Sequence, residues 1–212
     1  MEYFSIADIK TCEITEKSSK FIAYAYPVNQ LEEIKQIFEN LKKNHPKSRH
    51  VCYAYRLGFD QNVFRTVDDG EPSGTAGKPI LGQIDKLHLT NIAIFVVRYF
   101  GGILLGTGGL IKAYKTASQI CLESCTIIEI NRLSNFKITC GFAQAQSFLN
   151  QLKLFHGKLL EMNTDSLGNE LLIEISSKTE VEYFKQIKSI LDKNSADIDV
   201  YNIFGCEIIR LD

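Results

Sequence analysis

The chain has 212 residues, 45% hydrophobic and 23% charged, with a formal net charge of -1, ordinary values for a water-soluble protein of one or two domains. That balance excludes a generally basic nucleic-acid coat, and 16 Lys and Arg against 14 Asp and Glu in residues 1–133 confine any anion-binding surface to a local patch in the first part. No apolar run is long enough to span a bilayer, and Met1-Glu2-Tyr3-Phe4-Ser5-Ile6 lacks the features of a signal peptide, so the expected location is the cytoplasm, with no membrane partner and six reduced cysteines.

Phe21 to Tyr26 predicts a strand, and Asn29 with Glu32 offers a capping box for a helix that carries Leu31, Ile34, Phe38 and Leu41 on one face. Pro46 ends that region. Val51 to Leu57 alternates large and small residues, as a strand with one packed face does. Residues 58–77 read as irregular, followed by a short helix from Pro79 to about Lys86. Thr90 to Tyr99 is apolar and β-branched almost throughout, the pattern of a central strand covered on both faces. Gly101 and Gly102 end it, and a helix then repeats Leu110, Ala113, Tyr114, Ala117, Ile120 and Cys121 at helical spacing, with Lys112 and Lys115 on the other side. Cys121 and Cys125 share one helix face, which assigns them to packing rather than to a metal site.

From Ser134 the pattern restarts. A strand at Phe136 to Cys140 precedes a helix with Phe148, Leu149, Leu152 and Phe155, and strands follow near Lys158 to Met162 and at Leu171 to Ile175. Thr179 with Glu182 is a second candidate capping box, for a helix with Val181, Phe184, Ile187 and Leu191, and strand character runs from Ile198 to Ile209. The order βαββαβ predicts a ferredoxin-like module, with a boundary near Arg132 to Asn135 and domains at 1–132 and 135–212. The fold class is α+β.

Nine of the fourteen glycines lie between Gly70 and Gly109, eight of them in the motifs Asp68-Asp69-Gly70-Glu71-Pro72-Ser73-Gly74-Thr75-Ala76-Gly77-Lys78-Pro79 and Gly101-Gly102-Ile103-Leu104-Leu105-Gly106-Thr107-Gly108-Gly109-Leu110. Glycine costs conformational entropy and adds nothing to a core, so this density marks backbone shapes or backbone exposure that other residues cannot supply. A helix starting at Gly106, Thr107, Gly108 and Gly109 offers unpaired N–H groups to an anion, with Lys112, Lys115 and Arg98 as candidate cations; the alternative is a turn needed for close strand–helix packing. The loop fits neither GxxxxGK[ST] nor GxGxxG, which lowers the case for a standard nucleotide site.

Asp68, Asp69 and Glu71 bring three carboxylates together, enough for a magnesium ion or acid–base work, or for capping backbone amides in a turn. No cofactor or metal is assigned. Ser73 misses the G-x-S-x-G elbow by one position, and a Ser73, His50 and Asp68 or Asp69 set competes with simple hydroxyl capping by Ser73 and Thr75. Lys78 completes the candidate loop. Tyr53, Tyr55 and Tyr99 are stacking candidates if exposed and core residues otherwise.

The two glycine motifs, with His50-Val51-Cys52-Tyr53-Ala54-Tyr55-Arg56 and Val97-Arg98-Tyr99-Phe100-Gly101-Gly102, closely resemble the YigZ/IMPACT family across essentially the whole chain. Residues 68–79 follow its signature DDGEPSGTAGKP, and residues 98–114 follow RYFGGxxLGxGGLxxAY; Leu104 stands where the family pattern has lysine. The resemblance implies an N-terminal domain like the second domain of a small-subunit ribosomal protein, an α/β sandwich, and a C-terminal domain like the last domain of elongation factor G. It further implies a non-catalytic role in translation regulation, as in eukaryotic relatives that act as protein-binding modules, with RNA or the ribosome as partner and a translation-related protein as another. The alternative class is a hydrolase or phosphate-ester-processing enzyme using Asp68, Asp69, Glu71 and Ser73.

Overall fold

The computed structural model describes residues 3–192 and 199–211, and they fall into two compact units divided between Ile130 and Asn131. The first begins with strands β1 (Tyr3–Ile6), β2 (Lys10–Glu16) and β3 (Ser19–Pro27), helix α1 (Leu31–Asn44), and strands β4 (His50–Leu57) and β5 (Val63–Val67). Helix α2 (Gly77–Lys86), strand β6 (Ile92–Tyr99), helix α3 (Gly106–Glu123) and strand β7 (Ile127–Ile130) complete it. Five strands form one antiparallel sheet in the order β2-β3-β6-β4-β5, while β1 and β7 pair as a separate ribbon.

β6 lies at the centre, and its side chains alternate between two cores because successive Cβ atoms point to opposite faces. Ala93, Phe95 and Val97 pack with Ile34 and Leu41 of α1, while Ile92, Ile94 and Val96 pack with Ile80 and Ile84 of α2 and Leu110, Ala113 and Tyr114 of α3. Small residues in that second core, Ala23, Ala25 and Ala54 on the sheet and Ala117 on α3, let the helices approach the sheet closely.

The second unit runs β8 (Leu133–Cys140), α4 (Phe142–Leu154), β9 (Lys158–Thr164), β10 (Asn169–Ser176), α5 (Glu180–Leu191) and β11 (Cys206–Arg210). The sheet order β11-β8-β10-β9, antiparallel throughout, is the ferredoxin-like arrangement that βαββαβ order predicts. Phe136, Ile138, Leu171, Ile173 and Ile175 cover one face and meet Phe148, Leu152, Tyr183, Phe184 and Ile187 of the helices. Among the described residues no helix is long and apolar enough to cross a membrane.

Several local expectations change. Neither capping box forms as drawn: Glu33, not Glu32, accepts from the Asn29 N–H at 3.0 Å, and the Thr179 hydroxyl donates to the Ser176 carbonyl at 3.2 Å. β5 occupies part of the stretch expected to be irregular, and α2 starts two residues before Pro79. The last strand is confined to Cys206–Arg210 because Asp199 to Gly205 forms turns and irregular backbone; Ile198 lies outside the described residues. Cys125 sits just beyond α3, its thiol donating to the Cys121 carbonyl at 3.2 Å.

Candidate functional site

The acidic loop between β5 and α2 is built from its own carboxylates. Asp68 accepts from the Gly74 N–H at 2.8 Å through one oxygen, and from Ala76 and Gly77 at 3.0 and 2.8 Å through the other. It thereby caps the start of α2 from a distance, satisfying amides that the helix leaves open. Burial alone would raise this carboxyl, but the amides of Gly74, Gly77 and Ala76 and the Lys78 charge outweigh it and hold the group below the ordinary aspartate value.

Asp69 adopts the left-handed region at φ 44°, which aspartate tolerates better than most residues. Its carboxylate accepts from the Val51 N–H at 2.6 Å and pairs with Lys42, while its carbonyl accepts from His50 Nδ1 at 2.7 Å. Both aspartates are thus spent on positioning the loop. Neither carboxylate lies within ion-pair distance of His50, and Ser73 is exposed, so the structure does not assemble the Ser73, His50 and Asp68 or Asp69 set. The Thr75 hydroxyl donates to the Pro72 carbonyl at 2.6 Å, inside the turn.

Glu71 points the other way, into the protein. One oxygen accepts from Arg98 at 2.6 Å and from the Tyr114 hydroxyl at 2.8 Å, with His50 Nε2 4.0 Å away. The single Cys52 S–H has two acceptors in reach, the Asp68 carbonyl at 3.0 Å and the Tyr114 oxygen at 3.3 Å. Burial, with the Glu71, Asp69 and Asp68 charges adding, pushes the Cys52 thiol far up, so it remains a thiol and is no nucleophile. Burial, with Cys52 and Glu71, likewise raises the Tyr114 phenol.

Arg98, only 6% exposed, is therefore not the free cation that its place before the glycines predicts, since Glu71 balances its charge. Its Nε has no hydrogen-bond partner, and its guanidinium carbon lies 5.5 and 5.7 Å from the centres of the Phe21 and Phe100 rings. Arg98 is thus a neutralised, ring-packed cation with an enclosed Nε rather than a donor open to solvent.

The glycine loop passes directly above. At Gly101 a Cβ would fall 2.0 Å from the Ser18 carbonyl, so packing alone demands glycine there. Gly108 is different: its backbone is helical and a Cβ would meet nothing within 4 Å. α3 begins at Gly106 with no side-chain cap and no acidic residue in its first turn, and Gly106, Thr107 and Gly108 are exposed. Its first amides lack intrahelical acceptors and carry the partial positive charge of the helix end.

Between loop and sheet lies a cleft of about 320 Å³ whose lining includes Arg49, His50, Arg98, Phe100, Leu104 and Thr107. It also takes in Glu71, Leu105 and Gly106. The structure thus gathers Arg98, His50, Glu71, Gly106 and Thr107 at one site. Lys78, Lys112 and Lys115 are exposed but lie outside the lining, as does Ser73. Arg49, which stands 5.5 Å over the Phe100 ring, and Phe100 itself escaped the reading of the sequence. Arg49 adjoins His50, and Phe100 stands beside Gly101 inside the Val97 to Gly102 motif, which gave it no role of its own. Tyr53 packs with Phe38, Tyr55 and Phe95, and Tyr99 bonds His45, so these tyrosines belong to the α1 face. A second cleft of about 380 Å³, at Cys140, Gly141 and Asp165, contains none of the candidate residues.

Residues 17–122 match the Impact N-terminal domain. The chain is 30% identical to IMPACT family member YvyE of Bacillus subtilis over 197 residues, 92% of this chain and 89% of that one. It is 37% identical to IMPACT family member YigZ of Escherichia coli over 146 residues, 68% of this chain and 72% of that one. A crystal structure of a hypothetical protein superposes with a TM-score of 0.72 at 28% identity, covering 100% of this chain and 98% of the other.

Proposed function

The chain belongs to the IMPACT family, and from that premise we propose that it is a non-catalytic, cytosolic protein of translation control that binds RNA, free or in the ribosome, through the surface from Gly70 to Lys115. The observation that carries this reading is Gly108. Neither backbone conformation nor packing requires glycine there, and its lack of a side chain keeps the exposed helix start clear for a phosphate. The exposed Lys112 and Lys115 on the same helix extend the favourable field beyond the cleft mouth.

The preparation of the acidic loop points the same way. The Asp68 carboxylate is engaged with amides, Asp69 with Val51 and Lys42, and Glu71 with Arg98 and Tyr114. The arrangement favours holding an anion over transforming one.

Affinity for a single-stranded oligoribonucleotide should fall with salt, with a log–log slope of about -0.7 for each phosphate neutralised. Titrations across a range of potassium chloride concentrations test this, and a slope of zero would remove phosphate contacts from the account. Gly108→Asp places a carboxylate at the helix end and is expected to weaken the same binding about tenfold. Unchanged affinity in a folded variant would reject the helix start as the contact.

A further inference from the structure

Three features of the cleft demand more of a ligand than negative charge. Its lining includes Gly106 and Thr107 from the uncapped start of α3, and the 94%-buried Arg98, whose charge Glu71 balances. Its walls are apolar and open: Leu104 is 83% exposed and Phe100 is 38% exposed, with the Arg49 guanidinium over the Phe100 ring. An isolated phosphate has no use for such walls, and an apolar peptide has no use for the Arg49 guanidinium and the helix-end amides. A nucleotide carries both a phosphate and a flat apolar face that stacks on aromatic rings and guanidinium planes.

Size narrows the ligand further. At about 320 Å³ the cleft stands at the lower end of the ~300–1,000 Å³ typical of small-molecule sites, so it has room for one nucleotide and not for a run of them. We infer that the cleft receives a single unpaired nucleotide, its phosphate against the Gly106 and Thr107 amides and its base against Phe100 and Leu104, with Arg49 closing over the base. This rests on the RNA-binding reading above and assigns it a subsite: the glycine surface tracks the strand, and the cleft holds one base out of the stack.

The test is titration of the full chain with adenosine 5′-monophosphate, adenosine and inorganic phosphate, followed through the amide resonances of residues 106–108. The monophosphate is expected to bind at least tenfold more tightly than either half alone, shifting those amides, and Phe100→Ala to weaken it about tenfold. Leu104→Asp should weaken it comparably; the side chain is almost wholly exposed, so this variant reports even if Phe100→Ala folds poorly. Equal affinity for inorganic phosphate and the monophosphate overturns the proposal, since the site then reads charge only. So does binding of adenosine as tight as the monophosphate, or Leu104→Asp releasing a protein partner from a chain that ignores the monophosphate. Oligoribonucleotide binding with its salt dependence intact, in a chain blind to the monophosphate, overturns the cleft and leaves the wider surface standing. Monophosphate binding without oligoribonucleotide binding supports the cleft and removes the wider surface.

Discussion

Replacing Glu71 with alanine is expected to cost about 3–5 kcal/mol of folding stability, the range for removing one partner of a buried ion pair. The carboxylate side chain is 3% exposed and that of Arg98 is 7% exposed, so neither has water to fall back on. Deletion strands the Arg98 charge and leaves the Tyr114 hydroxyl without its acceptor, and both groups are too enclosed to be resolvated cheaply. Urea denaturation followed by circular dichroism measures the loss. A Glu71→Leu, Arg98→Met double variant should recover more than half of it, because an apolar pair of similar volume removes both charges together. If Glu71→Ala unfolds within 1 kcal/mol of the parent, on the order of a surface substitution, the pair contributes nothing to stability and the network is misread.

Asp68→Ala should cost on the order of 2–3 kcal/mol, since three backbone N–H groups lose one common acceptor and two of their residues, Ala76 and Gly77, are buried. The pH dependence distinguishes this from a general loosening. The Asp68 carboxyl is held lower in the folded chain than its ordinary value, so its contribution is complete above the unfolded value of about 3.9 and drains away as pH falls through the folded one. The difference in unfolding free energy between the parent and Asp68→Asn should therefore be level from about pH 5 to 8 and shrink below about pH 4. A difference that persists unaltered to pH 2, or that grows on acidification, contradicts the capping role.

Burial pattern separates what the chain discloses from what it conceals. β6 and α3 are legible because each carries a dense apolar record, a continuous run in one and a 3.6-residue repeat in the other. The second unit is legible because β10 alternates buried and half-buried residues along its whole length and α5 repeats Phe184, Ile187 and Leu191. β2 and β5 are edge strands of the sheet. Lys10-Thr11-Cys12-Glu13 and Val63-Phe64-Arg65 have no fully buried face, so nothing forces a pattern on them.

At the site, proximity of the two glycine motifs follows from the pairing of β4 between β5 and β6, which no spacing in the chain reveals. Glu71 and Arg98 are 27 positions apart, and a buried pair at that separation looks in one dimension like two ordinary surface charges. Asp68 and Asp69 look interchangeable in the sequence. Only the turn, with Asp69 in the left-handed region, sends one to the amides of α2 and the other to Val51.

Gly101 is seated against the β2–β3 hairpin, where Lys17 and Ser18 both have positive φ, and its N–H donates to the Ser19 hydroxyl at 3.2 Å. The next residue, Gly102, and the first residue of α3, Gly106, are both left-handed. Ile103 and Leu104 are thus held between two left-handed glycines, one beside the hairpin and the other at the start of an 18-residue helix. A side chain at either position would be strained there, so the outline of the apolar rim depends on both remaining glycine.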